Sequence, residues 1–276
     1  MTLYSPQANG SFLPFDVGAL IVQPVTTESI ATRISTVVKT GAQTFRIPIV
    51  SADPTAAWTA EGAEIAPSDP TLTELIVTPK KLAGLTVISN ELAHDSSPEA
   101  AKVVGDGLAR DLARKIDAAF FAATTVNGPS GVKSLTTTVV SAGGNWSNVD
   151  PFTEAQYAAE GAGTTITAFV ANPADALLLA KLKAATASNL NLLQPDPTQA
   201  GRRTIGGVPL YISTAVTVGE VWAIPQDRAF VVIREDATVT ADSSVFFTSD
   251  RVAVRATLRV GFAFPQPLGL VKITKV

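Results

Sequence analysis

The chain has 276 residues, enough for one large domain or two smaller ones and for a sizeable buried core. Its 46% apolar and 16% charged residues are those of a globular protein, and a net charge of -3 excludes a broad basic field for nucleic acid or a membrane surface. The lack of cysteine excludes disulfides and thiolate metal sites, and no apolar run reaches the roughly 20 residues of a membrane span.

The opening MTLYSPQANGSFLP has neither the charged start nor the apolar stretch of a signal peptide, so synthesis in the cytosol is expected. Residues 1 to about 45 scatter Pro and Gly among short β-branched runs. They read as an extended arm, with one strand at TFRIPIV. From Trp58 to Ser89 a long β-ribbon is expected. LTELIVT carries apolar residues on both faces, Pro79 interrupts it, and LAGLTVIS resumes. A two-stranded ribbon is marginal in water, so this one needs a surface to lie on.

The clearest helix follows, over about 97–123. Ser96 and Glu99 make a capping-box pattern, and Pro98 suits the first turn. Val104, Leu108, Leu112, Ile116 and Phe120 form one apolar stripe, with Arg110, Asp111, Arg114 and Lys115 on polar positions. NGPSG closes it as a turn. Further on, TITAFVANPADALLLAKLKAA reads as a buried strand, an Asn-Pro turn and a helix with Asp175 in its first turns. A polar loop containing Arg202 and Arg203 leads into IGGVPLYIS, a strand with a Gly-Gly bend. VWAIP, AFVVIRE and the long alternating RVAVRATLRVGFAF are further strands, and LGLVKITKV ends the chain. The order is mixed rather than repeating βα units, which argues for an α+β fold.

Catalytic chemistry is thinly supplied. His94 is the only histidine, so His/Cys metal sites and two-histidine zinc motifs are excluded. Glu91, His94 and Asp95 read as polar caps at a strand-to-helix junction. NGPSGVKS lacks the Gly-Lys adjacency and spacing of a phosphate loop, and GDGLAR lacks the last glycine of the dinucleotide fingerprint. Paired acids such as Glu61 with Glu64, or Glu235 with Asp236, read as solvated surface. No catalytic residue, cofactor or metal is expected.

The stretch WTAEGAEIAPSDPTLTELIVTPKKLAGLTVISNELAHDS resembles the extended loop and spine-helix entry of tailed-phage major capsid proteins, the family typified by phage Hong Kong ninety-seven. The resemblance rests on Trp58, Glu61-Gly62, Ser68 and Pro70, Pro79 to Leu82, and Ser89 to Leu92. FVANPADALLLAKLK, IGGVPLYIS and RVAVRATLRVGFAFPQPLGLVKI are similar to that family's axial-domain strand and helix, its next strand, and its C-terminal strand and return. The resemblance implies an N-terminal arm over 1–48 and an extended loop over 49–88. It implies a peripheral domain from 89–151 and 233–265, and an axial domain from 152–232 and 266–276. It implies a major capsid protein, not an enzyme. Hexamers and pentamers would tile an icosahedral shell around double-stranded DNA that is held without specific binding.

On the same basis Trp58, Glu61, Glu64, Lys80 and Lys81 on the extended loop, and Arg202 and Arg203 in the axial loop, are candidate intersubunit contacts. The stretch before Trp58 is short and has no charged heptads, which on the same resemblance implies a separate scaffold protein or none, and no cleavage. Lys80 or Lys81 could offer an amine for the covalent crosslink found in some relatives, but no asparagine follows Asn191, so a non-covalent shell is expected. Portal and decoration proteins would be further partners, with assembly in the host bacterial cytoplasm and residence in the virion. Two alternatives stay open: an encapsulin-like cellular compartment of the same fold, and a Ser or Asp/Glu hydrolase.

Overall fold

Strand alternation decides what each part of this chain touches. The computed structural model describes residues 28–62, 64–89, 98–185, 188–193, 203–242 and 244–276. The N-terminal arm as far as residue 27, the Ser96 start of the capping box, His94 with Glu91 and Asp95, and Arg202 lie outside the described residues. Twelve strands are described. The first six are β1 (Thr36–Thr40), β2 (Phe45–Ala52), β3 (Thr71–Val77), β4 (Lys80–Ser89), β5 (Thr138–Ser141) and β6 (Ala168–Ala171). The rest are β7 (Thr204–Ile205), β8 (Val208–Ile212), β9 (Glu220–Ile224), β10 (Phe230–Asp242), β11 (Arg251–Ala263) and β12 (Val271–Thr274). The α-helices are α1 (Ile30–Ile34), α2 (Pro98–Phe120), α3 (Asp150–Gly161) and α4 (Pro173–Ala180). The mixed order is that of an α+β fold.

One sheet runs β1-β10-β11-β4, with β1 parallel to β10 and the other pairs antiparallel. The second runs β5-β12-β9-β6-β8-β7. Period two splits its central strands cleanly. Ala168 and Val170 of β6 and Trp222 and Ile224 of β9 join a core shared with α2 and the first sheet. Phe169, Ala171, Val221 and Ala223 face the other way, into a core with Phe152 and Ala155 of α3 and Ala176 and Leu179 of α4.

The long helix behaves as its stripe requires. Leu112, Ile116 and Phe120 are buried and Arg110, Asp111, Arg114 and Lys115 are exposed. Burying each of those large apolar side chains contributes about 1.5–3 kcal/mol. Phe120 stacks edge-on with Phe262 and Phe264 at 5.2 and 5.5 Å, fixing the helix to the end of β11. The helix ends at Phe120, short of the expected 123. Ala122 already bonds back three residues to Ala119, and the β-branched run Thr124, Thr125 and Val126 disfavours further turns.

Two expected strands form differently. The ribbon does not pair the segments on either side of Pro79. β3 pairs with β2, while β4 crosses to β11 over ten residue pairs. Pro79 has no N–H to continue a ladder and is buried where the chain changes sheets. IGGVPLYIS is a tight hairpin rather than one bent strand. Gly206 and Gly207 both hold positive φ, +56° and +81°, as a two-residue turn between β7 and β8 requires.

Asp117 on α2 ties down α1. Its carboxylate accepts from Ser29 Oγ at 2.6 Å, from the N–H of Ala31 at 2.9 Å and from the N–H of Ile30 at 3.1 Å. It thus fills the open N-terminus of α1 from across the core. Burial outweighs these bonds and raises its pKa above the ordinary carboxylate value. Between the unfolded value of about 3.9 and the raised folded value, the folded state holds more protons. Its stability contribution is therefore complete below the unfolded value and is lost as pH rises through the folded one. Urea midpoints measured from pH 7 down to 4 will favour the native chain progressively over Asp117→Asn. Parallel pH profiles for the two proteins would contradict this.

Candidate intersubunit surfaces

Among the described residues, the β2–β3 ribbon is anchored at its root. Val77 packs with Val232 and Ala263, and Phe45, Ile47, Leu75 and Phe230 lean on that small cluster. The opposite face carries Val50, Leu72 and Ile76 in the open. Arg46 pairs with Glu74 across that face at 3.1 Å, an exposed bridge of little stabilising value. Beyond the strands, the 53–70 tip is drawn together by a bond from the Thr55 N–H to Ser68 Oγ at 2.7 Å. Trp58 stands fully in solvent at 105% relative exposure, and Ile65 is also exposed. Glu61 and Glu64 are exposed on the same tip.

Lys80 and Lys81 begin β4, at the ribbon's root, and none of the described residues shields Trp58. They border a cleft of about 520 Å³ between β4, the second half of α2 and the 124–129 turn. Its floor is apolar, from Leu82, Ile116, Val260 and Phe262, and Lys115 stands with Lys80 and Lys81 on its lining. Arg203 is exposed at the entry to β7, where its carbonyl accepts from the Leu210 N–H at 2.8 Å.

Reading residues one by one misses Lys115, because the cleft joins three segments far apart in sequence. The outer face of the first sheet also carries exposed Arg251 and Arg255. Nearby Asp242 has its pKa lowered, mainly by the Ser244 hydroxyl and N–H that bond its carboxylate.

NGPSGVKS is structural. Gly131 lies against the end of α2, where a Cβ would overlap the carbonyl oxygens of Ala119, Phe120 and Ala122. Lys133 is engaged by Glu220 at 2.7 Å and by Thr217 Oγ1 at 2.5 Å. Among the described residues, no group of three or more His, Cys, Asp or Glu could hold a metal ion, and no helix is long and apolar enough to cross a membrane.

The family model described as the phage capsid family matches residues 9–275. The chain belongs to the phage capsid family. It is a major capsid protein, and its fold is that of the tailed-phage capsids of the Hong Kong ninety-seven type. Capsid families are structural rather than catalytic. The capsid of a native GTA particle with C5 symmetry is 19% identical, with a TM-score of 0.72 over 99% of this chain and 94% of that one. A Mycobacterium phage Bobi chain is 16% identical, with a TM-score of 0.71 over 99% and 95%. A virus-like particle from Pyrococcus furiosus is 12% identical, with a TM-score of 0.63 over 94% and 98%. No curated protein matches the chain significantly.

Proposed function

We propose that this capsid protein assembles through its β2–β3 ribbon into hexamers and pentamers of a closed icosahedral shell around double-stranded DNA. One observation carries this: the distal ribbon displays apolar side chains and a bare tryptophan that the described residues leave uncovered. In this reading the ribbon is the extended loop. The β1-β10-β11-β4 sheet with α2 is the peripheral domain, and the six-stranded sheet with α3 and α4 is the axial domain. Trp58, Glu61, Glu64, Lys80, Lys81, Arg202 and Arg203 lie at subunit contacts, and the protein has no enzymatic activity. Binding energy is spread over many interfaces rather than held at one site. The net charge of -3 suits a wall that contains DNA without gripping it.

Assembly takes place in the host cytoplasm, with portal and decoration proteins as further partners. A cellular compartment of the same fold is the weaker reading, since the virus-like particle superposes less well than the GTA capsid, at 0.63 against 0.72.

The shell is held without covalent bonds between chains, because no asparagine follows Asn191 to receive a lysine amine. Native particles will sediment far ahead of the 28.6 kDa subunit and then run as one subunit-sized band on a denaturing gel. A ladder of linked subunits would contradict the non-covalent shell. Sedimentation only as the subunit would contradict the shell itself.

A further inference from the structure

We propose that the cleft between β4, α2 and the 124–129 turn binds a small amphiphilic anion. The compact charged head lies among Lys80, Lys81 and Lys115, and the apolar body lies on Leu82, Val260 and Phe262. This site goes beyond the shell reading and does not depend on it.

Charge selects the head. Three lysines and no acid line the cleft. All three are exposed, and among the described residues none of them is held by an ion pair or a hydrogen bond. Other cations of the chain are engaged: Lys133 by Glu220 at 2.7 Å, and Arg46 by Glu74 at 3.1 Å. Three like charges around one concavity raise the local concentration of anions there. Lysine ammonium groups are compact point charges, which suit a phosphate or carboxylate head.

Shape and polarity select the body. The volume of about 520 Å³ falls in the ordinary range for a small-molecule site, about 300–1,000 Å³. Such sites have apolar walls and a few convergent polar groups, which is the composition here. The floor is set before any ligand arrives, because Phe262 is packed edge-on against Phe120 at 5.2 Å. The lip is set as well, by the bond from the Gly128 N–H to the Thr125 carbonyl at 2.9 Å. A pre-formed site spends less of its binding energy on ordering. Thr124 and Asn127 stand exposed on that lip and add hydroxyl and amide donors for the head. Free phosphate would leave the apolar floor wet, and a neutral apolar molecule would leave the lysines unused. A molecule that carries both parts satisfies both.

Isothermal titration calorimetry of the purified protein with 1-naphthyl phosphate tests this. A Kd on the order of 10–100 µM is expected, with inorganic phosphate and 1-naphthol each about tenfold weaker or more. Lys80→Gln, Lys81→Gln and Lys115→Gln together will weaken the probe about tenfold or more and leave 1-naphthol unchanged. Ala118→Phe fills the cleft from an exposed position on α2, so the subunit will fold while the probe and 1-naphthol both lose binding. Unchanged urea midpoints will show that both variants are folded.

Full affinity in both variants would overturn the proposal. So would inorganic phosphate or 1-naphthol binding as tightly as the probe, since the cleft would then be a charge site or an apolar one only. An acidic, tryptophan-containing peptide that outbinds the probe would assign the cleft to a protein partner instead. Sedimentation reads shell assembly without any probe, so a failed titration would overturn this site and leave the shell reading standing.

Discussion

Gly131→Ala will destabilise the subunit by about 3 kcal/mol or more, a large share of a domain's ordinary 5–15 kcal/mol. The added methyl has nowhere to go. It would overlap the carbonyl oxygens of Ala119, Phe120 and Ala122, which are backbone atoms at the end of α2 and cannot rotate aside. Moving Gly131 outward would drag Val132 out of the main core, where it is fully buried. It would also loosen the Ser134 hydroxyl, which bonds the Gly131 carbonyl at 2.7 Å. Gly161→Ala is the matched control. It sits at the end of α3 with nothing near the new methyl, so it will be neutral or stabilising by up to about 1 kcal/mol. Urea unfolding of both variants measures the difference, and equal midpoints would refute the packing role of Gly131.

Asp175→Ala will cost roughly 2–5 kcal/mol, from one buried and one part-buried donor left unpaired, at about 1–3 kcal/mol for the buried one and less for the other. The Asp175 carboxylate is completely buried in the first turn of α4. One oxygen accepts from Trp146 Nε1 at 2.8 Å, and the other from the Gly219 N–H at 2.7 Å. It thereby joins the loop before α3, the start of α4 and the turn before β9. Trp146 in turn packs on Phe152 at 5.8 Å, and Phe152 on Phe169 at 5.2 Å. Loss of the carboxylate frees the indole at the edge of that aromatic row. The variant will therefore show a lower urea midpoint and a red-shifted tryptophan emission. An unchanged spectrum with an unchanged midpoint would show that the carboxylate is dispensable.

Sequence periodicity was informative where one element meets one core. The stripe through Leu112, Ile116 and Phe120, the Asn172 cap and the buried β6 all follow from spacing and local chemistry. In α4 the Asn172 side chain accepts from the Ala174 N–H at 3.1 Å, just where the Asn-Pro turn places a cap. Pairing between distant segments was not legible. The alternation in LTELIVT says that a strand forms, but not that its partner is Phe45–Ala52, because both flanking runs offer similar apolar faces. The role of Asp117 depends on a contact 87 residues away with Ile30, beyond any local pattern.

The candidate contacts divide along the same line. Trp58, Glu61, Glu64, Lys80 and Lys81 could be named from the resemblance of their segment to the extended loop. That Lys115 lines one cleft with Lys80 and Lys81 appears only once α2 is laid beside β4. Gly131 shows the reverse case. Its motif invites a phosphate-loop reading, and only packing shows that the glycine is there to let two backbones meet.

The most direct measurement is electron microscopy of the protein purified alone and of particles from its native source. Closed shells with pentameric and hexameric faces, and density from each ribbon tip crossing onto a neighbouring subunit, are the predicted result. A dispersed small monomer in both preparations would contradict the account.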